Sequence, residues 1–318
     1  MSFPVNNHQP PDYCNPPPSY EEVMATGSAT ASASGVAVVP ETQRMLKLQK
    51  LADQYEFSNI EVCKLRQLEN YHIVVIADDS SSMTHNARRV SEEDPFGHAP
   101  SRWEELCQRV GVIIDFATAL DKDGIDIYFL NRGTFRNITD PNKARKYFEA
   151  PPAGNASLKP VYDQVVRDNQ MTKPDSKILI FIATDAEPTE SDPQWAHTSF
   201  DSWLQVRNAP HRYPISIIVC TDSQIENHNF NYLDRASTAV NFSRDYLIEK
   251  RHVEEVQKRH YFELSKKQYM LKFLLGAIDP VYDMLDAREL TSEQLAEYGI
   301  GASYTQATLQ QLKQCILV

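Results

Sequence analysis

Cysteine is scarce and scattered in this chain: Cys14, Cys63, Cys107, Cys220 and Cys315 are odd in number, widely spaced and form no Cys-x-x-Cys pair. That pattern argues against a disulfide framework and against a zinc site, and it fits a reducing compartment. Long apolar runs are lacking too. The strongest, Ile73 to Ala77 and Ile178 to Ala183, are strand-length rather than membrane-spanning. The first twenty residues, MSFPVNNHQPPDYCNPPPSY, do not show the basic-then-apolar pattern of a signal peptide, so a cytoplasmic protein is expected. The sequons at Asn137, Asn155 and Asn241 are then expected to stay unglycosylated. No Lys/Arg block follows a phosphate backbone and the formal net charge is −11, so counterion release cannot drive tight nucleic-acid binding. A Gly-rich phosphate loop, a nucleophile elbow and a His-Glu-x-x-His pair are likewise absent, and the nine histidines are scattered.

What is present suffices for one α/β core with appendages, since 42% of the 318 residues are hydrophobic. Residues 1–40 combine clustered prolines with ATGSATASASG, a composition that buries too little apolar area to offset its ordering entropy, and are read as a disordered tail. Residues 41–70 are read as a leading helix and linker, with Met45, Leu46, Leu48, Leu51 and Ala52 at helical spacing. From Tyr71 the text alternates between strand and helix: HIVVIA, a helix around Glu104 to Leu120, GIDIYFL, a helix from Leu158 to Arg167, KILIFIAT, another helix, and YPISIIV. Near-continuous Ile/Val/Leu/Phe runs are those of strands covered on both faces. The expected fold over residues 71–240 is therefore a doubly wound, mostly parallel sheet with helices on both faces, followed by a helical extension and tail over residues 241–318. His72, inside the first strand, reads as a satisfied core or edge histidine rather than an acid or base. Between Met83 and Trp103 runs an unusually long polar loop.

The first core strand ends in Ala77-Asp78-Asp79-Ser80-Ser81-Ser82-Met83, which puts Asp78, Ser80 and Ser82 on one turn at the strand's carboxyl end. A second strand ends in Thr184-Asp185-Ala186-Glu187-Pro188-Thr189. Ligands of open α/β sheets collect at the carboxyl ends of strands, and carboxylate and hydroxyl oxygens there are hard donors of the kind that suit Mg²⁺ or Mn²⁺. The run IVVIADDSSSM followed by TDAEPTE resembles the metal-ion-dependent adhesion site of von Willebrand factor A-type domains. DKDGIDIYFLN and KFLLGAIDPVYDMLD are similar to stretches in a group of eukaryotic cytosolic members, fungal ones included, that carry a helical extension. The resemblance implies a Rossmann-like A-type fold, a divalent cation held by Asp78, Ser80, Ser82 and Asp185, and a protein partner gripped at the loop face. It also implies a Thr in the second metal loop, where this chain reads Gly154-Asn155-Ala156-Ser157-Leu158: Ala156 takes the Thr position, and Ser157 is the nearest hydroxyl. Where the family has Gly after the third-loop Asp, Ala186 follows Asp185. Two alternatives stand beside the metal-dependent adaptor. One is a scaffold that binds without a metal. The other is a phosphohydrolase, which in the haloacid-dehalogenase pattern would need a second Asp where Ser80 stands.

The ends carry their own signals. Pro10-Pro11-Asp12-Tyr13 and Pro17-Pro18-Ser19-Tyr20 are two PPxY sequences, the form that docks in the aromatic groove of a WW domain while losing little entropy. Paired copies raise the effective concentration for a protein with several WW domains, and they resemble motifs that recruit HECT-type ubiquitin ligases. The last four residues, Cys315-Ile316-Leu317-Val318, have the form of a prenylation site, which would supply a weak and reversible membrane attachment.

Overall fold

A computed structural model describes residues 41–87, 100–185, 200–207, 209–220 and 239–297, all of them within the unit Ala37–Val318. Both PPxY sequences, most of the long loop, the residues just after Asp185, and Cys315 lie outside the described residues.

Two helices, α1 (Glu41–Gln54) and α2 (Asn59–Leu65), lead into strand β1 (Tyr71–Ala77). Then follow α3 (Arg102–Leu120), β2 (Ile125–Phe129), β3 (Gly133–Ile138), α4 (Pro141–Lys146), α5 (Leu158–Thr172), β4 (Lys177–Thr184), α6 (Phe200–Val206), β5 (Ile215–Val219) and β6 (Val240–Ser243). Four further helices complete the described chain: α7 (Tyr246–Val256), α8 (Lys266–Leu275), α9 (Pro280–Met284) and α10 (Ser292–Glu297). The strands form one sheet in the order β3-β2-β1-β4-β5-β6. Only β2 and β3 pair antiparallel; the other neighbours are parallel.

Side-chain alternation along β1 divides the core in two. Ile73, Val75 and Ala77 pack on the side of Leu106, Val110 and Ile113 of α3, whereas Val74 and Ile76 pack with Leu158 and Tyr162 of α5 and with Trp203 and Leu204 of α6. Helices therefore cover both faces, and the fold is a Rossmann-like α/β sheet with a mixed edge. Leu48 and Leu51 of α1 share the α3-side core with Leu271, Leu274 and Leu275 of α8, so the leading helix and the C-terminal helices are built into the same hydrophobic body as the sheet. Among the described residues no helix is long and apolar enough to cross a membrane.

Two strands do not follow from the hydrophobic pattern. Strand β3, Gly-Thr-Phe-Arg-Asn-Ile, is a mostly solvated edge strand with no apolar run. Strand β6, Val-Asn-Phe-Ser, buries all four residues by giving its polar ones partners: Asn241 Nδ2 donates to Ser216 Oγ at 3.2 Å and to Ser243 Oγ at 3.1 Å. The sheet thus continues past the expected boundary at residue 240.

His72 is buried at the amino end of β1. Its Nδ1 lies 2.9 Å from Asp121 Oδ2 and its Nε2 lies 3.3 Å from Asp126 Oδ2. Burial works against the charged ring, but the two carboxylates outweigh it and raise the pKa above its ordinary value. The same carboxylates hold backbone: Asp121 Oδ2 accepts from Ile73 N at 2.9 Å and Asp126 Oδ1 from Asn137 N at 2.8 Å. A folded pKa above the unfolded value stabilises the native state fully at pH below the unfolded value, and that contribution disappears as pH rises through the folded one. The melting temperature of the wild type is expected to fall across this interval, and His72→Gln to remove that part of the slope. Identical pH profiles for the two proteins by scanning calorimetry would refute the charged-histidine assignment.

Candidate functional site at the carboxyl edge of the sheet

β1 and β4 are neighbours with Ala77 opposite Ala183, so the residues that follow each strand emerge side by side. The Asp78 amide donates to Ala183 O at 2.9 Å, which locks the two strand ends together. Asp78 is buried, and both of its oxygens are engaged: Oδ1 accepts from Ser80 N at 2.9 Å and Oδ2 from Thr184 Oγ1 at 2.7 Å. Burial, with the charge of Asp185 nearby, raises the Asp78 pKa, and the hydrogen bonds from Ser80 and Thr184 offset part of that rise. Ser80 sits at the head of the short 3₁₀ turn Ser81–Thr84, yet its side chain does not cap that turn. Its hydroxyl instead lies 3.0 Å from that of Ser82. The sheet therefore does bring Asp78, Ser80, Ser82 and Asp185 to one edge.

The second loop meets them differently. Ser157 takes the N-cap position of α5 without a side-chain capping bond. Ala156 lines a cavity of about 10 Å³ together with Asp78, Thr184, Ile76, Leu130, Leu158, Ile182 and Ala183, a volume on the order of one water. The residue that borders Asp78 in this cavity from the second loop thus has a methyl side chain with no oxygen.

Asp185 is nearly inaccessible, and it has a partner that the strand-end motif does not reveal: Arg102 Nη1 donates to Asp185 Oδ2 at 2.7 Å, with side-chain exposures of 17% and 2%. Arg102 is the first residue of α3, whose start is set by a capping box between Ser101 and Glu104. The base of the long loop is closed by Arg102 N donating to His85 O at 2.8 Å and Ala87 N donating to Pro100 O at 2.9 Å. These bonds hold the root of the arginine against the end of β4.

Odd-numbered residues of the Asp78–Ser82 turn face the other way and tie the neighbouring loops together. Fully buried Asp79 accepts from Asn131 N at 2.9 Å and Asn131 Nδ2 at 3.0 Å through Oδ1, while its Oδ2 lies 3.1 Å from Arg132 Nε. The Arg132 guanidinium stacks over Trp103 at 4.9 Å and Phe129 at 5.4 Å. Ser81 N and Oγ both donate to Gly154 O, at 3.1 and 3.2 Å. Gly154 is required where it stands: its φ is +109°, and a Cβ there would come within 2.3 Å of Asn131 Oδ1. Arg102, Asp79, Asn131, Arg132 and Gly154 are the residues that sequence reasoning missed. The doubled Asp78-Asp79 was the available signal, because alternation lets only one of two adjacent carboxylates face a given site.

No protein-family model matches the chain, and a search of curated proteins finds no match.

A small divalent cation needs near-octahedral oxygen ligands at about 2.0–2.1 Å. Two hydroxyls 3.0 Å apart, as Ser80 and Ser82 are, have the separation of adjacent ligands in such a shell, so this part of the donor set fits. The rest does not. Asp185 is paired with a guanidinium, and at the cavity beside Asp78 the second loop presents the methyl of Ala156. A cation near Arg102 would also meet its charge; at about 4 Å and an effective dielectric constant of about 20, two unit charges repel by about 4 kcal/mol, and a divalent ion by about twice that. Among the described residues the donor set does not make a complete cation site.

Proposed function

We propose that this chain is a non-catalytic protein-interaction scaffold on a von Willebrand A-type fold, and that its loop face works without a divalent cation. The observation that carries the reading is the Arg102–Asp185 ion pair, because it gives the buried third-loop carboxylate an internal counter-charge. The described loops at this edge are joined to one another through Asp79 to Asn131 and Arg132 and through Ser81 to Gly154. Contacts of this kind fix the described loops in place without a partner, so association loses little entropy in ordering them. A metal-dependent adaptor would need those carboxylates and a second-loop hydroxyl for the ion, and a haloacid-dehalogenase-like phosphohydrolase would need a carboxylate where Ser80 stands.

The adaptor part of the proposal comes from the N-terminal segment, with Pro10, Pro11 and Tyr13 and then Pro17, Pro18 and Tyr20 as ligands for WW-domain proteins, HECT-type ubiquitin ligases among them. Prenylation at Cys315 would add a weak membrane contact. One experiment tests both halves: capture of partners from cell lysate by the full chain, in Mg²⁺ and in EDTA, beside a Tyr13→Ala/Tyr20→Ala variant. The same partners are expected in Mg²⁺ and EDTA, with the WW-domain proteins alone missing from the variant. Partners lost in EDTA would restore the metal-dependent reading, and WW-domain proteins retained by the variant would remove the PPxY assignment.

A further inference from the structure

We infer that Arg102 is a tethered cation standing in for a divalent ion at this edge, and that Arg102 and Ala156 are the two residues that separate this site from one that binds metal. The inference rests on reading the Asp78–Asp185 edge as the contact face, and it deepens that reading by assigning the cation's role to a side chain.

Three observations carry it. First, Asp185 is buried at the strand end beside Asp78, where an ionised carboxylate needs a counter-charge, and a guanidinium 2.7 Å away supplies it. Second, the arginine is placed by design of the backbone: the Ser101–Glu104 capping box and the Arg102–His85 and Ala87–Pro100 bonds fix its root at the mouth of the long loop. Third, the remaining oxygen donors stay in place, with Ser80 and Ser82 hydroxyls 3.0 Å apart and Asp78 buried next to them. At the cavity beside Asp78 the second loop presents Ala156 where the resemblance implies a Thr, and this side borders a space on the order of one water. An arginine differs from Mg²⁺ in two consequences for binding. It cannot act as a Lewis acid toward a partner's carboxylate, and it cannot be removed by a chelator.

The test is a Mn²⁺ titration of the full chain followed by electron paramagnetic resonance, in which the signal of free Mn²⁺ falls as the ion binds. Wild type is expected to leave Mn²⁺ free at about millimolar concentration, and Arg102→Ala/Ala156→Thr to bind at least about tenfold more tightly. Adding Asp185→Asn to that variant should abolish the gain, and Mn²⁺ should raise the melting temperature of the double variant only. Should Arg102→Ala fail to fold, Arg102→Gln/Ala156→Thr keeps a neutral donor for Asp185 and serves in its place. Wild type binding Mn²⁺ as tightly as the double variant would overturn the inference, and so would a folded double variant with no gain. Neither result depends on partner capture, so a failure here is distinguishable from a failure of the interaction reading, which the EDTA experiment decides.

Discussion

Replacing Lys272 by Met is expected to lower the unfolding free energy by about 3–5 kcal/mol, measured by urea denaturation of the full chain. Four buried side chains explain the size of the effect: Arg244 at the end of β6, Glu249 in α7, Lys272 in α8 and Asp286 just beyond α9, none more than 1% exposed. Lys272 Nζ lies 2.9 Å from Glu249 and 3.4 Å from Asp286, and it donates to Asn241 Oδ1 at 3.3 Å. Arg244 completes the set, 3.3 Å from Glu249 and 3.4 Å from Asp286. Burial alone would raise the Glu249 pKa, but Lys272 and Arg244 hold it well below the usual carboxylate range. Burial, with the charge of Glu249, pushes Asp286 up despite Lys272. Two cations and two anions balance, so methionine at position 272 leaves two buried carboxylates to share one arginine. A second change identifies the cause: Lys272→Met/Glu249→Gln leaves the balanced Arg244–Asp286 pair and should recover most of the loss. If the single variant costs less than about 1 kcal/mol, the quartet does not anchor the C-terminal helices to the sheet.

The second large effect is expected at Asp79. Asp79→Ala removes the acceptor of two Asn131 hydrogen bonds and the partner of Arg132, with a loss of about 3 kcal/mol. Asp79→Asn should fall between, since its carbonyl still accepts from Asn131 while its amide faces a guanidinium. The damage should also be visible locally. Arg132 stacks on Trp103, so loosening it is expected to shift tryptophan emission before global unfolding, and a variant with wild-type emission and wild-type stability would show that Asp79 does not organise these loops.

Much of this architecture is legible in the text of the chain. The runs that became β1, β2, β4 and β5 are nearly continuous and apolar because those strands are covered on both faces, and the helix expected around Glu104 to Leu120 is α3. The strand-end residues Asp78, Ser80, Ser82 and Asp185 were also readable, since the carboxyl ends of neighbouring parallel strands must lie together. Strand β6 was hidden because Asn241 and Ser243 interrupt its apolar pattern, and only their partners across the sheet and in α8 make that burial tolerable. Strand β3 was hidden because an edge strand facing solvent needs no apolar run at all.

The sequence by itself determined the strand and helix rhythm, the sharing of one edge by two acidic turns, and the tandem PPxY text, all of which depend on local spacing. Tertiary structure alone decided what the charges do. Arg102 reaches Asp185 across 83 positions of chain, and Arg244 meets Asp286 across 42. Spacing along the chain sets the period of a helix or strand, but the cost of a buried charge is met by whichever opposite charge the fold brings within a few ångströms.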